Sequence, residues 1–177
     1  MRQSLLFLPS ACKCFRRGLT YFDTTFMLPY VLPPPDEHGR LPPGIHLASW
    51  AEVESRCGGT SWRDRLLRGL WEALSLLKAA GCSVAYIDGS FVTAKEEPGD
   101  FDACWDERGV DADALDPVLL DFTNRRARQK ARFGGELFPC CVPANGAGLS
   151  FLEFFQIDKA TGDPKGVIAV DLGGWQP

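Results

Sequence analysis

The fold and the chemistry of this chain are predicted from the stretch YIDGSFVTAKEEPGDFDACW, residues 86–105 of 177. Its first residues belong to a β-rich apolar run that predicts a buried strand ending at Asp88, and Gly89 and Ser90 follow at once. A glycine at a strand end lets the backbone approach a ligand closely, and successive backbone N–H groups there can hold a phosphate. The Ser90 hydroxyl adds a donor at the same point. The turn therefore predicts a phosphate-binding element.

The second half of the stretch begins with an acidic pair, Asp100 and Asp102, in an alternating segment that predicts a strand over 100–106. Side chains at i and i+2 of a strand project from one face, so the two carboxylates can share a hard divalent cation. Acid-x-acid triplets also occur elsewhere in the chain, so the signal lies in the combination of strand, Gly-Ser, nine-residue spacer and acidic pair. Phosphoryl or nucleotidyl transfer needs both a held phosphate and a held metal.

The surrounding sequence predicts an α/β fold, at the border with α+β, in which helices pack on a mixed sheet. The predicted elements begin with a short helix that Ser49 and Glu52 open as a capping box and Gly58 closes, and a long helix that Ser61 caps, with Asp64 three residues later, and Gly81 ends. They continue with strands over 83–88, 100–106 and 136–142, a helix over 117–132, and a C-terminal β-hairpin over 150–158 and 167–172. Pro139 restricts the third strand to an edge, a bend or a bulge, because proline has no N–H to donate.

The first 44 residues are expected to lie outside the packed domain. Residues 1–26 show neither a helical nor a strand period, and we interpret them as a non-essential or disordered extension. Residues 27–44 are rich in proline and predict an extended arm on the surface. A single domain is therefore predicted over 45–177.

Composition excludes several classes of protein. A net charge of −4 argues against a protein that coats nucleic acid by bulk charge. No apolar run approaches the ~18–20 residues of a transmembrane helix, so we expect no membrane partner and a cytoplasmic location. The seven cysteines lack C-x-x-C spacing and only two histidines accompany them, which favours reduced thiols over a disulfide framework and disfavours a zinc site.

Charge is divided unevenly along the chain. Residues 96–116 contain nine acids and one base, Arg108, which a bound cation would neutralise and a solvated loop would explain in part. The end of the predicted helix is basic instead, with Arg125, Arg128 and Arg132 on one face at i, i+3 and i+7. This face has two interpretations: a solvated helix end favoured by the helix dipole, or a surface for a triphosphate, an RNA or a protein.

The pattern of apolar strand, Gly-Ser, spacer and Asp-x-Asp resembles the nucleotidyltransferase superfamily with the DNA polymerase β-like core. The resemblance is closest to the minimal bacterial nucleotidyltransferases, including those of toxin–antitoxin and phage-defence pairs. The segments LPPGIHLASWAEV, YIDGSFVTAKEEPGDFDACWD, GGELFP and FLEFFQ are similar to an uncharacterised bacterial family related to these enzymes.

The resemblance implies a metal-dependent nucleotidyltransferase that moves NMP from an NTP to a hydroxyl of a protein, an RNA or a small molecule. Asp100 and Asp102 would hold Mg²⁺ or Mn²⁺, and Gly89 and Ser90 would seat the β- and γ-phosphates. Lys95, in the spacer, could reach a nucleotide phosphate or lie exposed in its loop.

The resemblance also implies a third carboxylate on a later strand beside the Asp-x-Asp strand. Glu136 falls at that place, where the family more usually has aspartate, and Asp171 and Glu153 are rivals because both lie on strand candidates. The departure from aspartate and the short chain keep an alternative open. In that alternative the protein is a catalytically inactive, nucleotidyltransferase-like binding module or an antitoxin-like regulator with a protein partner.

Overall fold

A five-stranded mixed sheet organises the residues that the computed structural model describes, 31–146 and 148–175. The strands are β1 (Gly44–Ala48), β2 (Val84–Asp88), β3 (Phe101–Trp105), β4 (Gly135–Pro139) and β5 (Gly166–Asp171), in the spatial order β1-β5-β2-β3-β4. β5 runs parallel to β1, and β4 runs parallel to β3, whereas β2 is antiparallel to both of its neighbours. The predicted mixed α/β fold class is confirmed.

Four α-helices accompany the sheet in the described part of the chain. They are α1 (Trp50–Cys57), α2 (Ser61–Ala79), α3 (Ala127–Phe133) and α4 (Phe151–Phe155), with short 3₁₀ turns at Ser90–Val92, Pro117–Leu120 and Asn124–Arg126. None of the described helices combines the length and the apolar composition needed to cross a bilayer. The predictions for residues 1–26 and for the first residues of the proline-rich arm lie outside the described residues.

The first two helices begin where side chains replace the missing intrahelical partners of the backbone. The Ser49 hydroxyl accepts from the Glu52 N–H and the Glu52 carboxylate accepts from the Ser49 N–H, which confirms the predicted capping box of α1. α2 starts at Ser61, but its predicted cap is wrong by one residue, because the hydroxyl of Thr60 rather than that of Ser61 accepts from the N–H of Arg63.

Each face of the sheet has its own apolar cluster, because successive residues of a strand point to opposite faces. On one face Ile87 and Phe101 pack in the larger cluster, which includes the apolar stripe of α2. On the other face Tyr86 and Cys104 pack in a smaller cluster with Leu152 and Phe155 of α4.

The prediction of one helix over 117–132 is wrong. The segment divides into two 3₁₀ turns and α3, because the consecutive residues Asn124, Arg125 and Arg126 adopt φ of 46°, 54° and 58°, in the left-handed region.

A buried side chain supports this break. The Gln129 amide is fully buried, and its Nε2 donates to the carbonyl of Leu119 at 3.3 Å. Its Oε1 accepts from the N–H of Leu137 in β4 at 2.8 Å. Gln129 therefore ties the turn before α3 to the sheet, a long-range interaction that no local period of the sequence encodes.

The predicted C-terminal hairpin is present only as its final strand. β5 lies inside the sheet, between β1 and β2, and the segment before it forms α4. A capping box begins that helix, with the Ser150 hydroxyl accepting from the Glu153 N–H. β1 was not among the predicted elements, since it follows directly on the prolines of the arm. β4 lies at the edge of the sheet, which agrees with the restriction predicted from Pro139, but it ends at Pro139 and not at the predicted residue 142.

Candidate metal and phosphate site

Three acidic side chains lie side by side on neighbouring strands. In the sheet register Asp88 of β2 pairs with Asp102 of β3, and Asp102 pairs with Glu136 of β4. Paired residues point to the same face of a sheet, so the three carboxylates form a row on the face that α4 covers. Asp100 lies directly before β3, at the same end of the sheet. We call Asp88, Asp100, Asp102 and Glu136 the carboxylate cluster.

The structure separates Glu136 from its two rivals. Asp171 pairs with Val84, at the opposite end of β2 from Asp88, and its carboxylate accepts from the N–H of Gly173. Glu153 caps α4, where its Oε2 accepts from the N–H and the hydroxyl of Ser150. Glu136 is therefore the candidate that joins Asp100 and Asp102.

Asp88 is a member of the cluster that the sequence did not single out. It is 2% exposed and forms an ion pair with Lys165, from the segment before β5. Burial raises the pKa of Asp88, and the charge of Lys165 opposes that shift. Its position as the last residue of β2, directly before Gly-Ser, was the available signal.

Two cations contact the other end of the row. Lys130 of α3 places its Nζ 2.5 Å from Oε1 of Glu136 and 3.2 Å from Oδ2 of Asp100. Arg126 places its Nε 2.8 Å from Oε2 of Glu136, and its guanidinium packs over the ring of Phe138. The hydrogen bond to Glu136 is the largest effect that raises the pKa of Lys130. Glu136 is thus neutralised by the protein itself.

The carboxylate of Asp102, in the middle of the row, makes no hydrogen bond or ion pair with any side chain or backbone group of the described ranges. Burial raises its pKa to about 6; the charge of Lys159 lowers it, and the charges of Asp100, Asp88 and Glu136 raise it further. Asp102 is therefore the carboxylate whose charge the protein neutralises least.

The turn after β2 places Gly-Ser against this carboxylate. Gly89 has φ +85°, a conformation that favours glycine, and a Cβ there would lie 2.6 Å from Oδ2 of Asp102. Ser90 begins the 3₁₀ turn, and its carbonyl accepts from the N–H and the hydroxyl of Thr93. The predicted phosphate-binding turn thus contacts Asp102, one residue of the predicted metal-binding pair.

Arg63 of α2 fixes the spacer that follows, and the sequence did not identify it. It is 7% exposed, and its guanidinium donates to four backbone carbonyls. The acceptors are the carbonyls of Cys57, Phe91, Thr93 and Lys95, at distances of 2.7–3.0 Å. The Lys95 side chain is exposed and has no contact with the cluster among the described residues. The structure therefore places its backbone, whereas none of the residues it describes bonds to its side chain.

The predicted helical face of Arg125, Arg128 and Arg132 does not form. Because Arg125 has left-handed φ, the three side chains do not lie on one helix. Arg128 forms an ion pair with Asp121, and Arg132 bonds to Glu72 and Asp116 at 2.8 Å and 2.7 Å.

The described cysteines are mostly buried. Cys57, Cys82, Cys104 and Cys140 are free thiols, and burial raises the pKa of Cys57 to about 11.

A second group of possible metal ligands, Glu107, Cys140 and Cys141, has its ligand atoms within 4.8 Å of one another. The Glu107 carboxylate already accepts from the Cys141 N–H at 3.0 Å.

No curated protein and no solved structure matches this chain. A family model matches residues 33–171, a range that includes all five strands and the whole carboxylate cluster. The chain therefore belongs to DUF6932, a family of unknown function.

Proposed function

We propose that this protein is a metal-dependent nucleotidyltransferase. The observation that carries the proposal is the Asp102 carboxylate, which lies between Asp88 and Glu136 in the sheet register, contacts the Gly89 turn and has no bonded partner among the described residues. Carboxylate oxygens are the ligands that Mg²⁺ and Mn²⁺ prefer, so the cluster suits a hard divalent cation.

In the proposed reaction, Asp100, Asp102 and Glu136 would hold the cation, and Gly89 and Ser90 would bind the β- and γ-phosphates of an NTP. The cation would neutralise the negative charge of the triphosphate. The oxygen of the acceptor hydroxyl forms a new bond to the α-phosphorus, and its proton passes to solvent. The bond from that phosphorus to the oxygen that bridges it to the β-phosphorus breaks, and pyrophosphate leaves. An RNA, a protein or a small molecule supplies the hydroxyl.

Metal removal tests the proposal directly. Incubated with α-³²P-labelled NTPs, Mg²⁺ or Mn²⁺ and candidate RNA and protein acceptors, the protein is expected to transfer label to one acceptor and to release pyrophosphate. EDTA should abolish the transfer, and excess Mg²⁺ should restore it. Label transfer that is equal with and without EDTA would contradict the metal requirement, and calorimetry that detects neither metal nor NTP binding would remove the proposal altogether.

A second function, nucleotide or partner binding without turnover, is favoured by one observation. Lys130 lies between Asp100 and Glu136, where it supplies a positive charge in the place that a metal needs. If this charge keeps the metal out permanently, the protein binds ligands but does not catalyse transfer.

Lys130→Met removes the positive charge that contacts Asp100 and Glu136 and competes with a metal for their carboxylates. We therefore expect the affinity for Mg²⁺ to increase about tenfold, which corresponds to about 1.4 kcal/mol. Isothermal titration calorimetry measures the effect, and Lys130→Arg, which keeps the charge, is the matched control. A gain of metal binding without transfer activity supports the second function. Equal affinities for all three proteins would show that Lys130 does not compete with the metal.

A further inference from the structure

A cavity of about 450 Å³ lies between α2 and α3, beside the carboxylate cluster. Its charged lining consists of Arg65, Arg68, Glu72, Asp100, Lys130 and Arg132, and we call it the α2–α3 groove. We propose that this groove binds phosphate groups of the substrate that accepts the nucleotide. The inference rests on the proposed function, because it names the chemistry of the second substrate of the same site.

The charge of the groove is opposite to that of the chain. Four cationic and two acidic side chains line it, whereas the protein as a whole carries a net charge of −4. A positive cavity in an acidic protein attracts an anion to one place and not to the surface in general.

Two of the four cations are available for a ligand. Lys130 and Arg132 already form ion pairs, but Arg65 and Arg68 form none with the described residues. They lie three residues apart on α2, so their side chains are neighbours on one face. The guanidinium of Arg65 lies 4.3 Å from the ring centroid of Trp62, which holds it in place by a cation–π contact. The Trp62 indole N–H in turn donates to the carbonyl of Pro98.

The groove reaches the carboxylate cluster. Asp100 and Lys130 line the groove, and the same Lys130 Nζ contacts Glu136 in the cluster. A ligand held by Arg65 and Arg68 can therefore extend toward the site at which the proposed transfer takes place.

The side chains indicate phosphate as the ligand group. Arginine presents a planar fork of N–H donors that matches phosphate oxygens, and two such forks on successive turns suit two phosphates or a phosphodiester chain. This chemistry is shared by a nucleic-acid strand and by a small polyphosphorylated molecule, and the two sources are distinguished by the probe.

The test uses fluorescence polarisation with the full chain, EDTA and no NTP. The probes are a labelled single-stranded RNA oligonucleotide and, as an unlabelled competitor, inorganic tripolyphosphate. The variant R65Q/R68Q is expected to bind RNA at least tenfold more weakly than the wild type. It should also lower the slope of log affinity against log salt by about 1.4, since each lost phosphate contact to a single strand contributes about 0.7. Both arginines are exposed, so the variant should fold, and thermal unfolding verifies this.

R125Q/R128Q removes the same charge from the basic segment before and within α3 and is the comparison variant. An equal loss in both variants, or a loss in this one alone, overturns the assignment to the groove, as does a failure to bind both RNA and tripolyphosphate. Displacement of RNA only by excess tripolyphosphate indicates a strand as the source. Tight binding of tripolyphosphate in isothermal titration calorimetry, without RNA binding, indicates a small molecule.

The two proposals fail separately. If R65Q/R68Q loses RNA binding but neither it nor the wild type transfers label under any condition, the anion site stands and the nucleotidyltransferase proposal falls. If label transfer occurs and R65Q/R68Q keeps the wild-type KM for the acceptor, the groove proposal falls alone.

Discussion

Asp102→Asn is expected to reduce nucleotide transfer at least about 100-fold and, at neutral pH, to stabilise the metal-free protein. The loss of activity follows because a metal contributes several kcal/mol to such a transition state and each 1.36 kcal/mol is about tenfold in rate. The gain of stability follows because the Asp102 charge is partly buried among three other carboxylates.

The sign of the stability effect depends on pH. Burial raises the pKa of Asp102 from 3.8 to about 6, so the folded state holds this proton more tightly than the unfolded state does. The unfolding free energy of the wild type therefore falls as the pH rises from about 4 to about 6 and stays lower above that range. After allowance for solvent screening, we expect Asp102→Asn to be more stable by about 1–2 kcal/mol at pH 7.5 and nearly equal at pH 4.

Metal should reverse this order. At a Mg²⁺ concentration about 100 times its Kd the wild type gains about 2.7 kcal/mol, whereas the variant, without its central ligand, gains little. Urea unfolding with and without Mg²⁺ measures both effects, and Asp163→Asn, the same change at an exposed turn residue, is the control. Wild-type label transfer by Asp102→Asn would refute the proposed mechanism.

Gly69→Ala is expected to have the largest effect on stability. Gly69 lies inside α2, where alanine would ordinarily stabilise a helix by up to about 1 kcal/mol. A Cβ at this position would lie 1.7 Å from the carbonyl oxygen of Phe133, at the end of α3. Because backbone cannot give way as a flexible side chain does, α2 and α3 must separate, and we expect a loss of about 3 kcal/mol or more.

Urea unfolding of Gly69→Ala, with Gly99→Ala as control, tests this expectation. A Cβ at Gly99 would meet nothing within 4 Å, so the control should unfold close to the wild type. Equal midpoints for the two variants would show that the approach of α3 to α2 is not close. Since α3 carries Lys130, the substitution should also disturb the ion pairs of the carboxylate cluster.

Several parts of the fold and of the candidate site could be predicted from the sequence because their signals are local. The strand before Gly89, the acidic pair 100/102 and the capping box of α1 depend on residues close together in the chain. Gly89 is the same kind of local signal, since glycine tolerates the φ of +85° that the structure shows there.

Other parts depend on residues far apart in the chain. Among three candidate acids only the sheet register places Glu136 beside Asp102, and the same register adds Asp88. The prediction of one helix over 117–132 is wrong for a similar reason. The buried Gln129 side chain bonds to β4 and not to its own helix.

The sequence by itself determined the order strand, Gly-Ser, spacer and acidic pair, and with it the place of the candidate site. Periodicity, capping and backbone freedom act over a few residues, so one sequence is enough to read them. Only the tertiary structure decided which carboxylates meet, that Lys130 and Arg126 neutralise Glu136, and that the Asp102 side chain has no bonded partner in the described part of the chain. Strand pairing and burial set those contacts, and both depend on how distant segments pack against one another.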